Sequence, residues 1–384
     1  MKTTLKTILT SLAIAAGLSI PGVRAADNDL FASINGGPGN GAGFVYQYTP
    51  AGTQSTFLSG LNRPRGLAFG SGGNIFMATN TNTAGVNNAT IVQVAPDGTI
   101  TTFATGFGAN NFLEALAFDS AGNLFANSSN LSDPDNVFGT VFKITPDGAV
   151  TTFGSVLGQG FGLAIDSSDN VFAASGSTDR TIYRFTPAGV RTVFVGPSAF
   201  ATNQVPIGLI FDSSGNLVVT AVDGFAGTGE ILKFAPDTTK TVFATGLGGG
   251  PRGMAYDSDG NLFVAEVPPT TAGDILKFSP SGTRSTFASG LGSSSGNGGA
   301  EYLAIKAAPC GCVGPQGPAG PPGATGATGP AGPPGPGLVS GATLLMKQGS
   351  AAPAGFTKLG TTDFQYKDLA GKSQKVVLDV YQKP

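Results

Sequence analysis

Seven side chains at recurring positions of this 384-residue sequence could form a ligand-binding site. Six of them directly precede an apolar segment that returns along the chain: Arg65, Glu114, Phe161, Ile207, Arg252 and Glu301. The seventh, Glu266, ends a second apolar segment and is expected beside Arg252. Because only 11% of the residues are charged, five charges at such positions mark a candidate site.

Two interpretations of these residues stay open. The charged members could pair with one another and close a channel, because buried charges must be compensated. Alternatively, they could line a pocket for a polar ligand, with Phe161 and Ile207 as its apolar edge. No recognisable nucleophile accompanies them, so the sequence predicts no catalytic residue.

The candidate residues belong to a repeat of 45 to 49 residues that extends from about residue 28 to residue 306. A copy reads G-L-A-F-D-S-x-G-N-L-F, then I-x-K-F-x-P-x-G, then T-x-F-A-T-G. Its short apolar runs are separated by Asp-Ser-x-Gly-Asn and Pro-Asp-Gly turns, which predicts four strands in each copy. A repeat of this length and content is typical of an all-β propeller.

Six copies of the first strand predict six blades, beginning near Gly66, Ala115, Gly162, Gly208, Gly253 and Tyr302. The last copy, at 301–305, has no second strand after it, whereas residues 28–33 match a second strand without a first. We therefore expect these two half-repeats to complete one blade and close the ring, which removes unpaired sheet edges.

The repeats resemble the NHL, SMP-30/gluconolactonase and streptogramin-lyase group of six-bladed propellers. The resemblance rests on units such as Asp-Ser-Asp-Gly-Asn-Leu-Phe-Val-Ala-Glu at 257–266 with Ile-Leu-Lys-Phe-Ser-Pro-Ser-Gly at 275–282. It implies that a ligand would meet the channel end where the innermost strands begin, where the six aligned residues lie.

The same resemblance limits the activities to be expected. Streptogramin lyases use a histidine base, and this chain contains no histidine, which excludes that chemistry. SMP-30 lactonases hold a divalent metal with a glutamate of an E-G-P-x-W motif. Glu114 and Glu301 occupy the comparable position without Gly-Pro, and nearby arginines would repel a cation. We therefore expect no metal and no cofactor, while a lactonase-like hydrolase or lyase stays open as the alternative.

Residues 1–25 have the features of a secretory signal peptide: Lys2 and Lys6, an apolar stretch, and Val23-Arg24-Ala25 before the expected cleavage point. Its removal takes away three basic residues and no acid, so the net charge falls from −2 to −5. This acidic balance argues against nucleic-acid binding. No other stretch is long enough for a transmembrane helix, so the sequence predicts a secreted or cell-surface protein.

We expect the propeller at 26–307. The junction that follows it, at 308–313, contains the only two cysteines of the sequence, Cys310 and Cys312. Residues 314–337 then form eight uninterrupted Gly-X-Y triplets, the pattern of a collagen triple helix. We expect a homotrimeric stalk, with the cysteines either in interchain disulfides or as free or locally oxidised thiols. Residues 338–384 predict a small β module with strands near 344–346, 356–359 and 376–381.

These features together predict a secreted or cell-surface binding or structural protein. Its propeller would be displayed on a collagen-like stalk and would bind an extracellular ligand that the sequence does not name. The alternative is a hydrolase or lyase that uses the charged channel mouth.

Overall fold

The protein was analysed as a computed structural model. It describes residues 25–36, 41–83, 86–130, 138–176, 179–223, 228–267, 272–292, 299–306, 343–349, 355–367 and 373–382. The glycine triplets at 314–337, together with Cys310 and Cys312, lie outside these ranges. The chain divides into two compact units, Met1–Pro309 and Cys310–Pro384.

The first unit consists of short strands and a single 3-10 turn at Pro197–Ala199 within its described residues. Its first twelve strands are β1 (Leu30–Ile34), β2 (Gly43–Tyr48), β3 (Gln54–Leu61), β4 (Leu67–Phe69), β5 (Ile75–Thr83), β6 (Val86–Val94), β7 (Ile100–Ala104), β8 (Asn111–Phe118), β9 (Leu124–Asn130), β10 (Phe138–Ile144), β11 (Val150–Leu157) and β12 (Gly160–Ile165). The next twelve are β13 (Val171–Ser175), β14 (Thr181–Phe185), β15 (Arg191–Val195), β16 (Gln204–Phe211), β17 (Leu217–Asp223), β18 (Thr228–Phe234), β19 (Lys240–Leu247), β20 (Gly250–Tyr256), β21 (Leu262–Val267), β22 (Gly273–Phe278), β23 (Arg284–Leu291) and β24 (Ala300–Ile305).

These strands form six four-stranded antiparallel sheets, the blades of a β-propeller. Blades one to six begin with the innermost strands β4, β8, β12, β16, β20 and β24. Five blades use four consecutive strands, and blade six has the order β24-β1-β2-β3. Leu30 faces Ile305 and Ala32 faces Leu303 in its ladder, which confirms the predicted closure by two half-repeats.

The Asp-Ser-x-Gly-Asn segments form the predicted hairpins. In blade four, the Asp212 carboxylate accepts a hydrogen bond from the backbone nitrogen of Asn216 at 2.9 Å. Gly215 adopts a φ of +80°, a backbone conformation that glycine tolerates without steric cost. The aspartate therefore fixes the turn, and the glycine allows it to close.

Neighbouring blades contact one another through phenylalanines of the repeat. The phenylalanine of the second strand in one blade packs edge-on against that of the first strand in the next. The ring centroids of Phe76 and Phe118 are 5.0 Å apart, and those of Phe172 and Phe211 are 5.1 Å apart. Phe31 and Phe69 make the same contact across the closure, at 5.4 Å. The core therefore lies between blades, as the spacing of the two phenylalanines in the motif requires.

The second unit contains a three-stranded antiparallel sheet. Its strands are β25 (Thr343–Lys347), β26 (Thr357–Lys367) and β27 (Ser373–Gln382), with β27 in the centre. All three strands expected in this region are present and longer than predicted, although β26 begins at Thr357, one residue after its predicted start. No helix in the described ranges is long and apolar enough to cross a membrane.

Candidate functional site

Of the six aligned residues, only Arg65 precedes its inner strand; the other five lie within theirs, four of them at shifts in the strand register. In blade two the register shifts between Leu113 and Ala115, and the residue at the shift is Glu114. The shift in blade five, between Pro251 and Met254, contains Arg252. Blades three and four have equivalent shifts at Phe161 and Ile207. A bulge of this kind re-aims a side chain, so a repeated backbone device places these side chains.

Small residues after these positions bring the blades into close contact. A Cβ added to Gly66 would stand 2.7 Å from the carbonyl oxygen of Glu114, and one on Gly162 would stand 2.3 Å from that of Ile207. On Gly253 it would stand 2.9 Å from the carbonyl oxygen of Glu301. In each of these contacts, the backbone of an aligned residue (Glu114, Ile207 or Glu301) lies against a glycine in the inner-strand region of the preceding blade. These contacts set the order of the aligned side chains around the channel.

Four of the charged residues form one connected ion-pair network. Glu301 is its centre, because its Oε2 atom accepts a hydrogen bond from Nη1 of Arg65 at 2.7 Å and lies 3.1 Å from Nε of Arg252. Arg65 Nη1 also lies 3.5 Å from Oε2 of Glu114. The side chains of Arg65, Glu114 and Glu301 are at most 10% exposed, whereas that of Arg252 is 30% exposed. Arg252 is therefore the member that meets solvent.

The ion-pair network affects the pKa values of Arg65 and Glu114 differently. Burial alone would lower the pKa of Arg65, but the carboxylates of Glu114 and Glu301 reverse this effect and raise it, so Arg65 stays cationic. Burial raises the pKa of Glu114, and the neighbouring Arg65 and Arg252 offset only part of that increase. Oε2 of Glu114 is buried and accepts no hydrogen bond from the described residues. Burial therefore favours the protonated form of Glu114.

Three further residues belong to this cluster and were not predicted. The guanidinium carbons of Arg63 and Arg65 lie 4.5 and 5.0 Å from the ring centroid of Phe112. The buried Tyr302 hydroxyl has no hydrogen-bond partner among the described residues, and burial followed by the charge of Glu114 raises the pKa of Tyr302. Arg63 and Phe112 each precede a predicted residue by two positions, so extending the repeat alignment upstream would have found them.

The two apolar residues take different places from the charged ones. Ile207 is 6% exposed, and its carbonyl lies against Gly162 as described above. The ring of Phe161 covers Gly176, where an added Cβ would stand 2.1 Å from Cε2 of the ring. Phe161 also packs against the core between blades three and four. Both residues are therefore part of the packing at this channel end.

The sequence predicts Glu266 beside Arg252; its backbone pairs with Pro251, the residue before Arg252, whereas its side chain forms no ion pair with Arg252 among the described residues. The charges that act on the Glu266 carboxylate are those of Arg284 and Asp274, and the backbone of Gly248 and Gly249 lies close to it. Burial, the largest effect, raises its pKa. The alternation of strand β21 explains the difference, because Glu266 and Ala265 point to opposite faces and only Ala265 faces blade six. The Glu266 carboxylate therefore lies near the loop between blades four and five.

A divalent metal, as expected for SMP-30-like lactonases, does not fit these residues. No group of three histidine, cysteine, aspartate or glutamate side chains in the described part of the chain is arranged to hold a metal ion. Oε2 of Glu301 is already shared by two guanidinium groups. A hard cation needs six or more oxygen ligands, which this donor set does not supply.

No family profile matches the chain, and no curated protein matches it in sequence. Among solved structures, it is similar to a gluconolactonase of Xanthomonas campestris, with 15% identity over 63% of this chain and 84% of that one and a TM-score of 0.48. Regucalcin of Agrobacterium tumefaciens, described as a calcium-binding protein, has 12% identity over 63% and 83% of the two chains and a TM-score of 0.47. The count of six blades comes from the strand order and not from these similarities. The chain is a six-bladed β-propeller followed by a small three-stranded sheet.

Proposed function

We propose that the propeller binds a small carboxylate-bearing solute at the channel mouth, with Arg252 as the recognising group. The observation that carries this proposal is the contact made by Arg252. Its Nε lies 3.1 Å from Glu301, and within the described chain no hydrogen bond or ion pair occupies Nη1 or Nη2. A guanidinium group that is paired only through Nε keeps the N–H donors of Nη1 and Nη2 for an anion.

The charge balance of the cluster supports the same ligand class. Arg63, Arg65 and Arg252 carry three positive charges, against two carboxyl groups at Glu114 and Glu301. The carboxyl groups are deeply buried, whereas Arg63 and Arg252 are half-buried. A solute that approaches the mouth therefore meets guanidinium groups first. A purely structural ion-pair plug would have no need for the excess positive charge.

Calorimetric titration with acetate, lactate and gluconate tests this proposal. We expect at least one of the three anions to bind, and the Arg252→Ala variant to bind it about 10- to 100-fold more weakly, as expected for lost hydrogen bonds to a charged group. Arg184→Ala removes an exposed arginine from the outer part of blade three and is the matched control. Equal affinity of the two variants, or no binding of any carboxylate, would refute the role of Arg252.

A second candidate function is hydrolysis of a lactone or a related ester, which Glu114 favours. A buried carboxyl with a raised pKa, and with an oxygen that accepts no hydrogen bond from the described residues, is typical of a general acid or base. Lactone turnover by the purified chain, lost in Glu114→Gln and kept in Glu230→Gln, would support this activity over simple binding. Turnover that is unchanged in Glu114→Gln would exclude Glu114 as the acid or base.

We further propose that the propeller is exported and displayed on a trimeric stalk. The support is the sequence alone: the signal-like residues 1–25 and the uninterrupted glycine period at 314–337, which suits the crowded axis of three chains. Sedimentation of the oxidised full chain should give a trimer, and Gly326→Val should lower the melting temperature of the trimer without changing that of the propeller. A monomer at micromolar concentration would contradict the proposal.

A further inference from the structure

The carboxylate of Asp29 is buried at the point where the propeller ring closes. Its side chain is 2% exposed, and Oδ2 accepts hydrogen bonds from the backbone nitrogen of Ala26 at 2.8 Å and from Nε2 of Gln47 at 2.5 Å. No lysine or arginine in the described ranges forms an ion pair with it. The nearby Lys306 instead pairs with Asp27, at 3.2 Å between Nζ and Oδ1.

The backbone around Asp29 joins the two ends of the propeller. The nitrogen of Asn28 donates to the carbonyl of Lys306 at 2.8 Å, and the nitrogen of Lys306 donates to that of Asp29 at 3.1 Å. Asp29 directly precedes strand β1, whose pairing with β24 completes blade six. Burying a carboxylate without a neighbouring cation is unfavourable in free energy. At Asp29 this unfavourable term weakens the contact that closes the ring.

We infer that cleavage of the Ala25–Ala26 bond supplies the missing cation, as the α-ammonium group of Ala26. In this hydrolysis, catalysed by a signal peptidase, water attacks the carbonyl of Ala25 and the C–N bond breaks. Ala25 leaves as a carboxylate on the leader, and the nitrogen of Ala26 becomes an amino group. An α-amino group has a pKa of about 7.7 to 8.0, so it is largely protonated at neutral pH.

The geometry needed for this ion pair exists before cleavage, because the nitrogen of Ala26 already lies 2.8 Å from Oδ2 of Asp29. Cleavage exchanges one neutral donor for a charged group with three. It also removes the carbonyl of Ala25, which accepts a hydrogen bond from Nζ of Lys306 at 2.8 Å. Lys306 keeps its contact with Asp27, so the two titratable neighbours of the new amino group remain paired with each other.

The inference rests on the export proposed above, and a recombinant chain separates the two. Residues 26–384 are prepared with a free amino group and, for comparison, with an acetylated one. We expect the free form to unfold at the higher temperature, with an unfolding constant about tenfold lower, as for a hydrogen bond to a charged group. The carboxylate raises the pKa of the amino group, so this advantage is present near pH 7 and is lost as the pH rises through the raised value.

Asp29→Asn should abolish the difference between the free and acetylated forms, whereas Asp27→Asn should preserve it. If Asp29→Asn fails to fold, the comparison of the two amino-terminal forms still decides. Equal melting temperatures of these forms would overturn the ion pair even if the protein is exported. Amino-terminal sequencing of the exported protein should begin at Ala26, and retention in the cytoplasm or another first residue would overturn the cleavage.

Discussion

Gly208 lies so close to the carbonyl oxygen of Arg252 that a Cβ on the glycine would stand 2.1 Å from it. Thr220 joins the same two residues, because its hydroxyl accepts a hydrogen bond from the nitrogen of Gly208 at 2.7 Å and donates to the carbonyl of Arg252 at 2.9 Å. The residue that we propose to recognise the ligand is therefore held by its own backbone against the neighbouring blade.

Replacing Gly208 with alanine should destabilise the propeller by about 1–3 kcal/mol, because backbone atoms cannot yield to the added methyl group. Urea unfolding of the full chain measures the change. Gly72→Ala is the control, since its added Cβ would meet nothing within 4 Å. Comparable stability of the two variants would contradict the close contact between blades four and five.

Thr220→Val should cost about 1–3 kcal/mol, because it leaves a buried backbone nitrogen without its acceptor while keeping the shape of the side chain. Thr220→Ser keeps the hydroxyl and should cost less. The free energy of unfolding measures both variants. A larger loss in Thr220→Ser than in Thr220→Val would show that the methyl group of Thr220, and not its hydroxyl, supports Arg252.

Glu114 should make stability depend on pH in the weakly acidic range. Its pKa in the folded protein is raised by burial, so the folded state binds this proton more tightly than the unfolded state. Its contribution is therefore favourable below the unfolded pKa and is lost as the pH rises through the folded one. Thermal unfolding from pH 4 to pH 8 should show a flatter decline in Glu114→Gln than in the unmodified protein. An identical slope would indicate that Glu114 is ionised throughout.

Removal of strand β1 should abolish cooperative unfolding of the propeller. A chain that begins at Gly41 lacks the strand that pairs with both β24 and β2, so two sheet edges lose their partners. Circular dichroism and limited proteolysis report the loss. A matched chain that ends at Pro309 should retain the unfolding transition, because it removes only the second unit. A chain from Gly41 onward that still unfolds cooperatively would contradict closure by β1.

The sequence by itself determined the strand content, the six blades and the closure. Turn residues such as Asp212 and Gly215 set each hairpin locally, and the phenylalanine spacing leaves few ways to bury the rings. The position of Arg65, Glu114, Arg252 and Glu301 at one channel end also followed from their place in the repeat. Such inferences are reliable in a repeat protein, because the same motif occurs in several copies and each copy supports the same assignment.

Only the tertiary structure decided which of these residues touch. Glu301 is shared by two arginines and Glu266 faces a loop, because bulges in the inner strands and alternation along β21 set side-chain directions that residue spacing does not encode. Arg63 and Phe112 belong to the cluster because the guanidinium group of Arg63 lies over the ring of Phe112. The contact between Ala26 and Asp29 is local in sequence, but Asp29 lies where backbone hydrogen bonds with Lys306 join the two ends of the ring.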